Sequence, residues 1–234
     1  MKLNEVLLEL EAVGTERTKK TYISNGAHGP LFGCAIKNLN PIAKKIKHDN
    51  DLAYALYDSG NYDAMYLAGM IVDVKKMSMQ DFEDWINKAY FYMLSDFVVA
   101  VCLAEADFNL DLAEEWINSN EELKMSAGWS TFTWKLESTK DEYFDFEQIK
   151  RLMGKIEQDY HKVPRRARNA MNNFLVSVGI SYLPLHEKAY DLAKKIREEV
   201  TQEDPKCKPP GAVETIENAI AKERLGFKRN YLRC

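Results

Sequence analysis

The spacing of apolar residues constrains this chain more than any other feature. In most windows they recur three or four residues apart, and the alternation typical of β-strands is scarce. One such run is Leu39, Ile42, Ala43 and Ile46. Apolar residues at this spacing lie on one face of a helix. The sequence therefore predicts an all-α protein.

An internal repeat suggests how the helices are arranged. Asp-Leu-Ala at residues 51–53, followed by Ser59, recurs sixty residues later as Asp-Leu-Ala at 111–113, followed by Ser119. Each copy precedes a second, more apolar helix, and we interpret Asp51 as the N-cap of the first copy. Diverged pairs of helices are typical of HEAT or armadillo repeats. We therefore predict a HEAT-like helical repeat stack, an armadillo-like α-α superhelix, with an ordinary helical bundle as the alternative.

The domain organisation follows from length and linkers. A chain of 234 residues suits one large domain or two small ones. No long linker divides it before the proline-containing stretch at residues 203–211. We predict a HEAT-like repeat domain at residues 1–202. Residues 203–234 are predicted to form a linker, a short helix and a basic tail, packed on that domain or extending from it.

Membrane insertion and secretion are not expected. The longest apolar run, residues 97–104, is far shorter than the ~20 residues that cross a bilayer. Glu5, Glu9 and Glu11 interrupt any signal peptide. The sequence has four cysteines and no Cys-x-x-Cys pair, which fits free thiols in a reducing compartment. We expect a cytoplasmic protein of bacterial type.

Charge is segregated along the chain. The net charge is −4, but residues 206–234 carry +4 and residues 1–205 carry −8. Residues 162–168 contain four basic side chains and no acid. This balance excludes a protein that binds polyanions over its whole surface, but it allows local basic patches to do so.

Standard catalytic motifs are absent. There is no His-Glu-x-x-His, no Walker loop and no Gly-x-Ser-x-Gly, and the four histidines are scattered. We therefore expect neither a metal nor a cofactor. Gly26, Gly29 and Gly33 give this stretch the glycine content of a phosphate loop, but no strand precedes them and no Gly-Lys-Ser/Thr follows. We interpret this stretch as a structural turn.

Asp96 is the most informative acid, because apolar residues flank it on both sides. A carboxylate in such surroundings is costly unless it is paired or hydrogen-bonded. One interpretation makes Ser95 and Asp96 a helix N-cap that divides two helices. The other makes Asp96 a carboxylate that lines a cleft, where it could activate water or stabilise a cation.

Two groups of residues are candidates for contact with nucleic acid. Trp129 shares a predicted helix with Lys124; such a tryptophan usually packs in a core, but it could also stack on bases. The second group surrounds a helix start after Pro164, where clustered arginines suit phosphate. Its members are Lys162, Arg165, Arg166, Arg168, Asn172 and Asn173. The alternative is a solvated face that pairs with the acidic residues between 141 and 147.

In order and spacing, the sequence resembles the AlkD-like DNA alkylation repair family, whose HEAT-like repeats cradle duplex DNA. The resemblance covers most of residues 20–200 and includes no short diagnostic motif. The stretches that carry it are Tyr22, 31–33, 39–46, 52–71, 94–103, 123–134 and 165–178. Active members of the family release N3- and N7-alkylated purines. They use a carboxylate near the deoxyribose, flanked by tryptophans and by an arginine that holds the DNA backbone.

The chain departs from the active members at their catalytic motif. Those members show Trp-Asp-x-x-Asp, whose second Asp is catalytic, whereas this chain reads Ser-Asp-Phe-Val-Val at residues 95–99. Asp96 matches the first Asp, and Val99 stands at the catalytic position. The backbone-holding arginine falls near Ser126 and the later tryptophan near Asn173, while Tyr22 is retained. A valine can neither accept a proton nor stabilise a cation.

The resemblance therefore implies a diverged member that binds DNA without glycosylase activity. Bent or branched DNA is the expected partner, and the C-terminal extension, with Lys228 and Arg229, is expected to contribute contacts. Two alternatives stay open. A shifted register would make Asp96 the catalytic group of an alkylpurine glycosylase. The overall acidity favours instead a scaffold that binds a protein partner.

Overall fold

The computed structural model describes residues 1–106, 110–203 and 211–233, which contain helices and no strand. The all-α prediction is therefore confirmed. The chain divides into two compact units: residues 1–109 with 233–234, and residues 110–232. No helix in the described ranges is long and apolar enough to cross a membrane.

The first unit is built around one buried helix, α5, against which α1, α3, α4 and α7 pack. Nearly every residue of α5 is buried, because apart from Asp63 the helix is apolar on all sides. The helices of this unit are α1 (Leu3–Val13), α2 (Glu16–Ser24), α3 (Ile36–Ile46), α4 (Asn50–Asp58), α5 (Tyr62–Ile71), α6 (Met79–Lys88), α7 (Tyr92–Leu94) and α8 (Ala100–Glu105).

Capping side chains fix where two of these helices begin. Ser78 accepts from the backbone N–H of Asp81, and the Asp81 carboxylate accepts from the backbone N–H of Ser78, which is a complete capping box. The Asp51 prediction is wrong by two residues. The N-cap of α4 is Asp49, whose carboxylate accepts from the backbone N–H of Leu52 at 3.0 Å.

The segment from Tyr92 to Glu105 is one continuous helix. A π-helical turn, Ser95–Val99, joins α7 to α8, and the backbone at Leu94 and Ser95 stays helical. The interpretation of Ser95 and Asp96 as an N-cap between two helices is therefore wrong. Gly69 on α5 makes room for this turn, since a Cβ there would lie 2.5 Å from Val98 Cγ1.

The second unit centres on α12, which packs against α10, α13 and α14. Its helices are α9 (Asp111–Ile117), α10 (Glu122–Ser138), α11 (Phe146–Asp159), α12 (Arg165–Ser181), α13 (His186–Glu203) and α14 (Ala212–Ala221). The two copies of the sequence repeat correspond to the packed pairs α4–α5 and α9–α10.

The short helix predicted after the linker is α14. It joins a small apolar core with α13, made by Ala193, Ala212, Val213 and Ile216. Most of the predicted linker, residues 204–210, lies outside the described residues. The boundary at residue 202 stays a prediction.

Candidate nucleic-acid interface

Asp96 is held inside the π-helical turn. Its side chain is only 6% exposed, and its Oδ1 accepts from the Ser95 hydroxyl at 2.8 Å. π-Helical turns are rare and are found frequently at functional sites, because the extra residue re-aims side chains. Here, however, the one carboxylate of the turn is engaged locally and has little contact with bulk solvent.

Val99, which the resemblance places at the position of the family's catalytic carboxylate, lies in the core of the first unit. Its side chain is 0% exposed. An ionised group at this position would have to enter an apolar interior without partners, which is costly. The core around residue 99 therefore holds an apolar side chain and presents no carboxylate at this position.

A run of aromatic side chains in the first unit approaches the π-helical turn. The ring centroids of Tyr22 and Tyr62 are 4.8 Å apart, those of Tyr62 and Phe91 5.4 Å, and those of Phe91 and Tyr92 4.7 Å. Phe97 ends the run 6.3 Å from Tyr92 and is 39% exposed. Edge-to-face pairs of this kind stabilise a core.

Tyr22, which the resemblance places at the DNA, makes a structural contact. Its hydroxyl donates to the Cys34 carbonyl oxygen at 2.8 Å, and its ring is half-buried. Burial, followed by the charge of Asp63, raises the pKa of the Tyr22 phenol. The tyrosine is thus a neutral group that ties α2 to the loop before α3.

The glycine-rich loop before α3 binds a carboxylate of the chain itself. The backbone N–H groups of Phe32 and Gly33 donate to Asp63 Oδ2 at 2.6 and 3.0 Å, and that of Cys34 donates to Oδ1 at 2.8 Å. Gly33 has φ +84, and a Cβ there would lie 2.6 Å from the backbone nitrogen of Lys19. The loop resembles an anion nest whose anion is Asp63, so its interpretation as a structural turn is confirmed.

Trp129 lies in the core of the second unit. It is fully buried, and its ring meets Phe174 edge to face at 5.2 Å. A side chain with no exposed surface cannot stack on a base in this conformation. Lys124, on the same helix α10, is half-buried.

The basic group at the start of α12 is displayed at the surface. Arg165 is exposed and Arg168 half-buried, and neither forms an ion pair with any described residue. Lys162 lies 3.4 Å from Asp159, and Asn172 and Asn173 continue along the helix, half-buried and exposed respectively. We call Lys162, Arg165 and Arg168 the basic cluster.

The acidic stretch between 141 and 147 does not neutralise the basic cluster. Asp141 pairs with Lys228, and Glu147 with Lys150. The acid that does reach α12 is Glu122, whose Oε1 accepts from the backbone N–H of Arg166 at 2.7 Å. This carboxylate occupies the helix N-terminus, where an approaching phosphate would otherwise bind.

Lys228 and Arg229 are engaged by the second unit. Lys228 Nζ donates to the Leu136 carbonyl at 2.7 Å and lies 2.9 Å from Asp141. Arg229 Nε donates to Glu137 at 2.6 Å, and its guanidinium lies 5.4 Å from the Trp134 ring centroid. Their charges are already compensated, so their role in DNA binding stays a prediction. In the described ranges, no group of three His, Cys, Asp or Glu side chains could hold a metal ion.

Comparison with known proteins identifies the class. The family model described as DNA alkylation repair enzyme matches residues 6–202, and the chain belongs to that family. A solved structure with 50% identity and a TM-score of 0.91, covering 100% of both chains, comes from a family described as related to the HEAT-like repeat DNA glycosylases, with affinity for branched DNA structures. This match confirms the HEAT-like fold.

Two curated bacterial proteins are also similar over nearly their whole length. They are uncharacterised proteins of Listeria innocua and Listeria monocytogenes, each 28% identical over 218 residues, which cover 90% of this chain and 94% of each relative.

Proposed function

We propose that this protein binds DNA through the basic cluster, prefers branched DNA, and has no glycosylase activity. The observation that carries the proposal is the pair Arg165 and Arg168, exposed and half-buried cations without a carboxylate partner in the described chain. The solved relative at 50% identity is described as having affinity for branched DNA. The absence of a carboxylate at Val99 supports the loss of glycosylase chemistry. A bacterial DNA-binding role also supports a cytoplasmic location.

The net charge of −4 makes a local patch necessary. A protein that neutralises phosphates with Lys and Arg releases counterions, so its affinity falls as salt rises. A chain of this acidity repels DNA over much of its surface. The duplex must therefore approach the patch where cations outnumber acids, which makes affinity depend on few contacts.

Titration with linear duplex, single-stranded and four-way-junction DNA at two salt concentrations tests the proposal. We expect salt-sensitive binding that is tightest for the junction. Binding that does not change with salt, or no binding to any of the three, would contradict the proposal and leave a protein partner as the better hypothesis.

Replacing Arg165 and Arg168 together by Ala should weaken junction binding. Because the variant removes two cations that bind phosphate, we expect the slope of log affinity against log salt to fall by about 1.8 and the affinity to drop roughly 10-fold. The matched control replaces Lys194 and Lys195 by Ala. It removes the same charge from the same unit, but these lysines pair with Asp191 and Glu157 at 2.7 Å each. Equal losses of affinity in both variants would show a long-range charge effect rather than binding at α12.

Glu122→Gln should have the opposite effect on junction affinity. It removes the negative charge that sits on the α12 N-terminus while keeping an oxygen that can accept from Arg166 N–H. Junction affinity should rise by about 2-fold to 10-fold. An unchanged or lower affinity would place the DNA elsewhere.

Absence of glycosylase activity is tested directly. The wild-type protein at high concentration should release no methylpurine from alkylated DNA. Val99 supplies no general base, and Asp96 is buried and accepts a hydrogen bond from the Ser95 hydroxyl. Release that Asp96→Asn abolishes would instead establish a glycosylase that uses Asp96.

A further inference from the structure

A pocket of about 330 Å³ opens in the second unit, outside the basic cluster. It lies among α10, α12, α14 and the segment that follows α14. Its volume is at the lower end of the range for small-ligand sites. The lining combines an apolar wall, to which Ile180 and Phe227 contribute, with the charged side chains of Glu137, Lys222, Arg224 and Arg229.

The charges of this pocket do not balance. Both carboxylate oxygens of Glu137 are used, one by the Ser177 hydroxyl at 2.7 Å and the other by Arg229 Nε at 2.6 Å. Lys222 and Arg224 are exposed, and neither forms an ion pair with a described residue. With Glu137 and Arg229 cancelling, two positive charges are left to face the pocket.

On the neighbouring helix α13, three cations are compensated by nearby carboxylates. On α13, Lys194 pairs with Asp191, Lys195 with Glu157 and Arg197 with Glu214, at 2.7, 2.7 and 2.9 Å. Lys222 and Arg224 form no such pair with a described residue, and both line the cavity. Two unpaired cations that line a cavity suit an anionic ligand, and the guanidinium of Arg224 suits phosphate in particular.

The apolar part of the lining indicates what the rest of the ligand is. Phe227 lines the pocket and is 55% exposed, so much of its ring is accessible to a planar partner. A phosphate joined to a planar base satisfies both halves of the site, because bases stack on aromatic rings whatever their sequence. We propose that this pocket binds one nucleotide, with its phosphate at Lys222 and Arg224 and its base against Phe227.

The nucleotide has two sources, a free nucleotide or the 5′-phosphorylated end of a DNA strand. The second source rests on the proposed DNA-binding function and deepens it. A base inside a duplex must be unstacked and unpaired before it can enter a pocket, whereas a base at the end of an unpaired strand needs no such step.

Isothermal titration of the whole chain with five probes tests the pocket. The probes are deoxyadenosine 5′-monophosphate, deoxyadenosine, inorganic phosphate, and one short single-stranded oligonucleotide with either a 5′-phosphate or a 5′-hydroxyl. We expect the monophosphate to bind more tightly than deoxyadenosine or phosphate alone. If strand ends are the source, the 5′-phosphorylated oligonucleotide binds more tightly than its 5′-hydroxyl form. If free nucleotides are the source, the two oligonucleotides bind alike.

Variants separate the two halves of the site. Lys222→Ala with Arg224→Ala should weaken monophosphate binding roughly 10-fold to 100-fold, and Phe227→Ala should weaken it about 10-fold without affecting inorganic phosphate. Lys188→Ala, an exposed lysine outside the lining, is the control and should change nothing. All these side chains are exposed, so the variants should fold, as a thermal melt verifies.

Three results would overturn the inference: no binding of the monophosphate, equal binding of monophosphate and deoxyadenosine, or unchanged binding by the Lys222/Arg224 variant. Failure of the pocket is distinct from failure of the proposed function. If the wild type binds the junction but no nucleotide, the pocket inference alone falls. If it binds the monophosphate but no junction, the proposed function falls and a free-nucleotide site stands.

Discussion

Replacing Asp63 by Ala is expected to lower the free energy of unfolding by about 3–5 kcal/mol. The carboxylate is 0% exposed and accepts from three backbone N–H groups of the loop before α3. Without it, three donors lose their partners, two of them in buried residues, and each costs about 1–2 kcal/mol. Such a loss is a large part of the roughly 5–15 kcal/mol by which a domain is stable. Urea unfolding, followed by circular dichroism, measures it.

Two further variants sharpen the result. Asp63→Asn keeps an acceptor oxygen but brings an NH₂ group towards the same donors, so it should lie between wild type and Asp63→Ala. Asp58→Ala removes an exposed acid of α4 that pairs with Lys88, and it should cost less than about 1 kcal/mol. If Asp63→Ala cost no more than Asp58→Ala, the loop would not depend on this carboxylate.

Loss of the Asp63 carboxylate should also affect the run of aromatic side chains that begins at Tyr22. The loop that it holds also receives the Tyr22 hydroxyl at Cys34, and the Pro30 carbonyl accepts from the Tyr62 N–H at 2.8 Å. Loss of the carboxylate would therefore release Tyr22 from the position that the family resemblance gives it.

The helices can be predicted because their signals are local. Apolar spacing at three and four residues places α3, and the capping box at Ser78 sets the start of α6 within four consecutive residues. The error at α4 shows the limit of such signals. Asp49 and Asp51 both precede the apolar face, and only the backbone geometry decides which carboxylate meets the Leu52 N–H.

The candidate site can be predicted only in part, because its determining contacts join residues far apart in sequence. The basic cluster is evident from its composition, since four cations lie within residues 162–168. Glu122 caps the same helix from 44 positions away, and no spacing reveals that. Asp63 resembles an ordinary first-turn acid of α5, and its partners lie about thirty residues upstream.

The π-helical turn and the C-terminal contacts escape prediction for a related reason. A π-turn inserts a residue without changing composition, so residues 95–99 carry no mark of it. For the basic tail, the sequence leaves open whether it packs on the chain or extends towards DNA. The structure shows Lys228, Arg229 and Arg233 bound to acids and carbonyls of the chain.

Replacing Arg233 by Ala is expected to destabilise the first unit by about 2–3 kcal/mol. Its side chain is 17% exposed, and its guanidinium donates through Nε to Glu105 at 2.6 Å. Through Nη1 it also donates to the carbonyls of Gly69 and Val72, at 2.9 and 2.8 Å, near the end of α5. The variant leaves a half-buried carboxylate without its cation and removes a donor to two carbonyls at a negative helix end.

Arg233→Lys separates charge from geometry. A lysine keeps the positive charge, but its single ammonium cannot reproduce the guanidinium fork that reaches Glu105 and both carbonyls at once. The free energy of unfolding of Arg233→Lys should therefore lie about halfway between those of wild type and Arg233→Ala. Lys45→Ala in the same unit, which breaks an exposed pair with Glu9, should cost less than about 1 kcal/mol.

Because Arg233 acts on the end of α5, hydrogen exchange should quicken most at Gly69 to Val72 in Arg233→Ala. Wild-type stability and unchanged exchange there would mean that α5 keeps its end without the arginine. The helix beside the π-turn would then be stabilised by its apolar core alone.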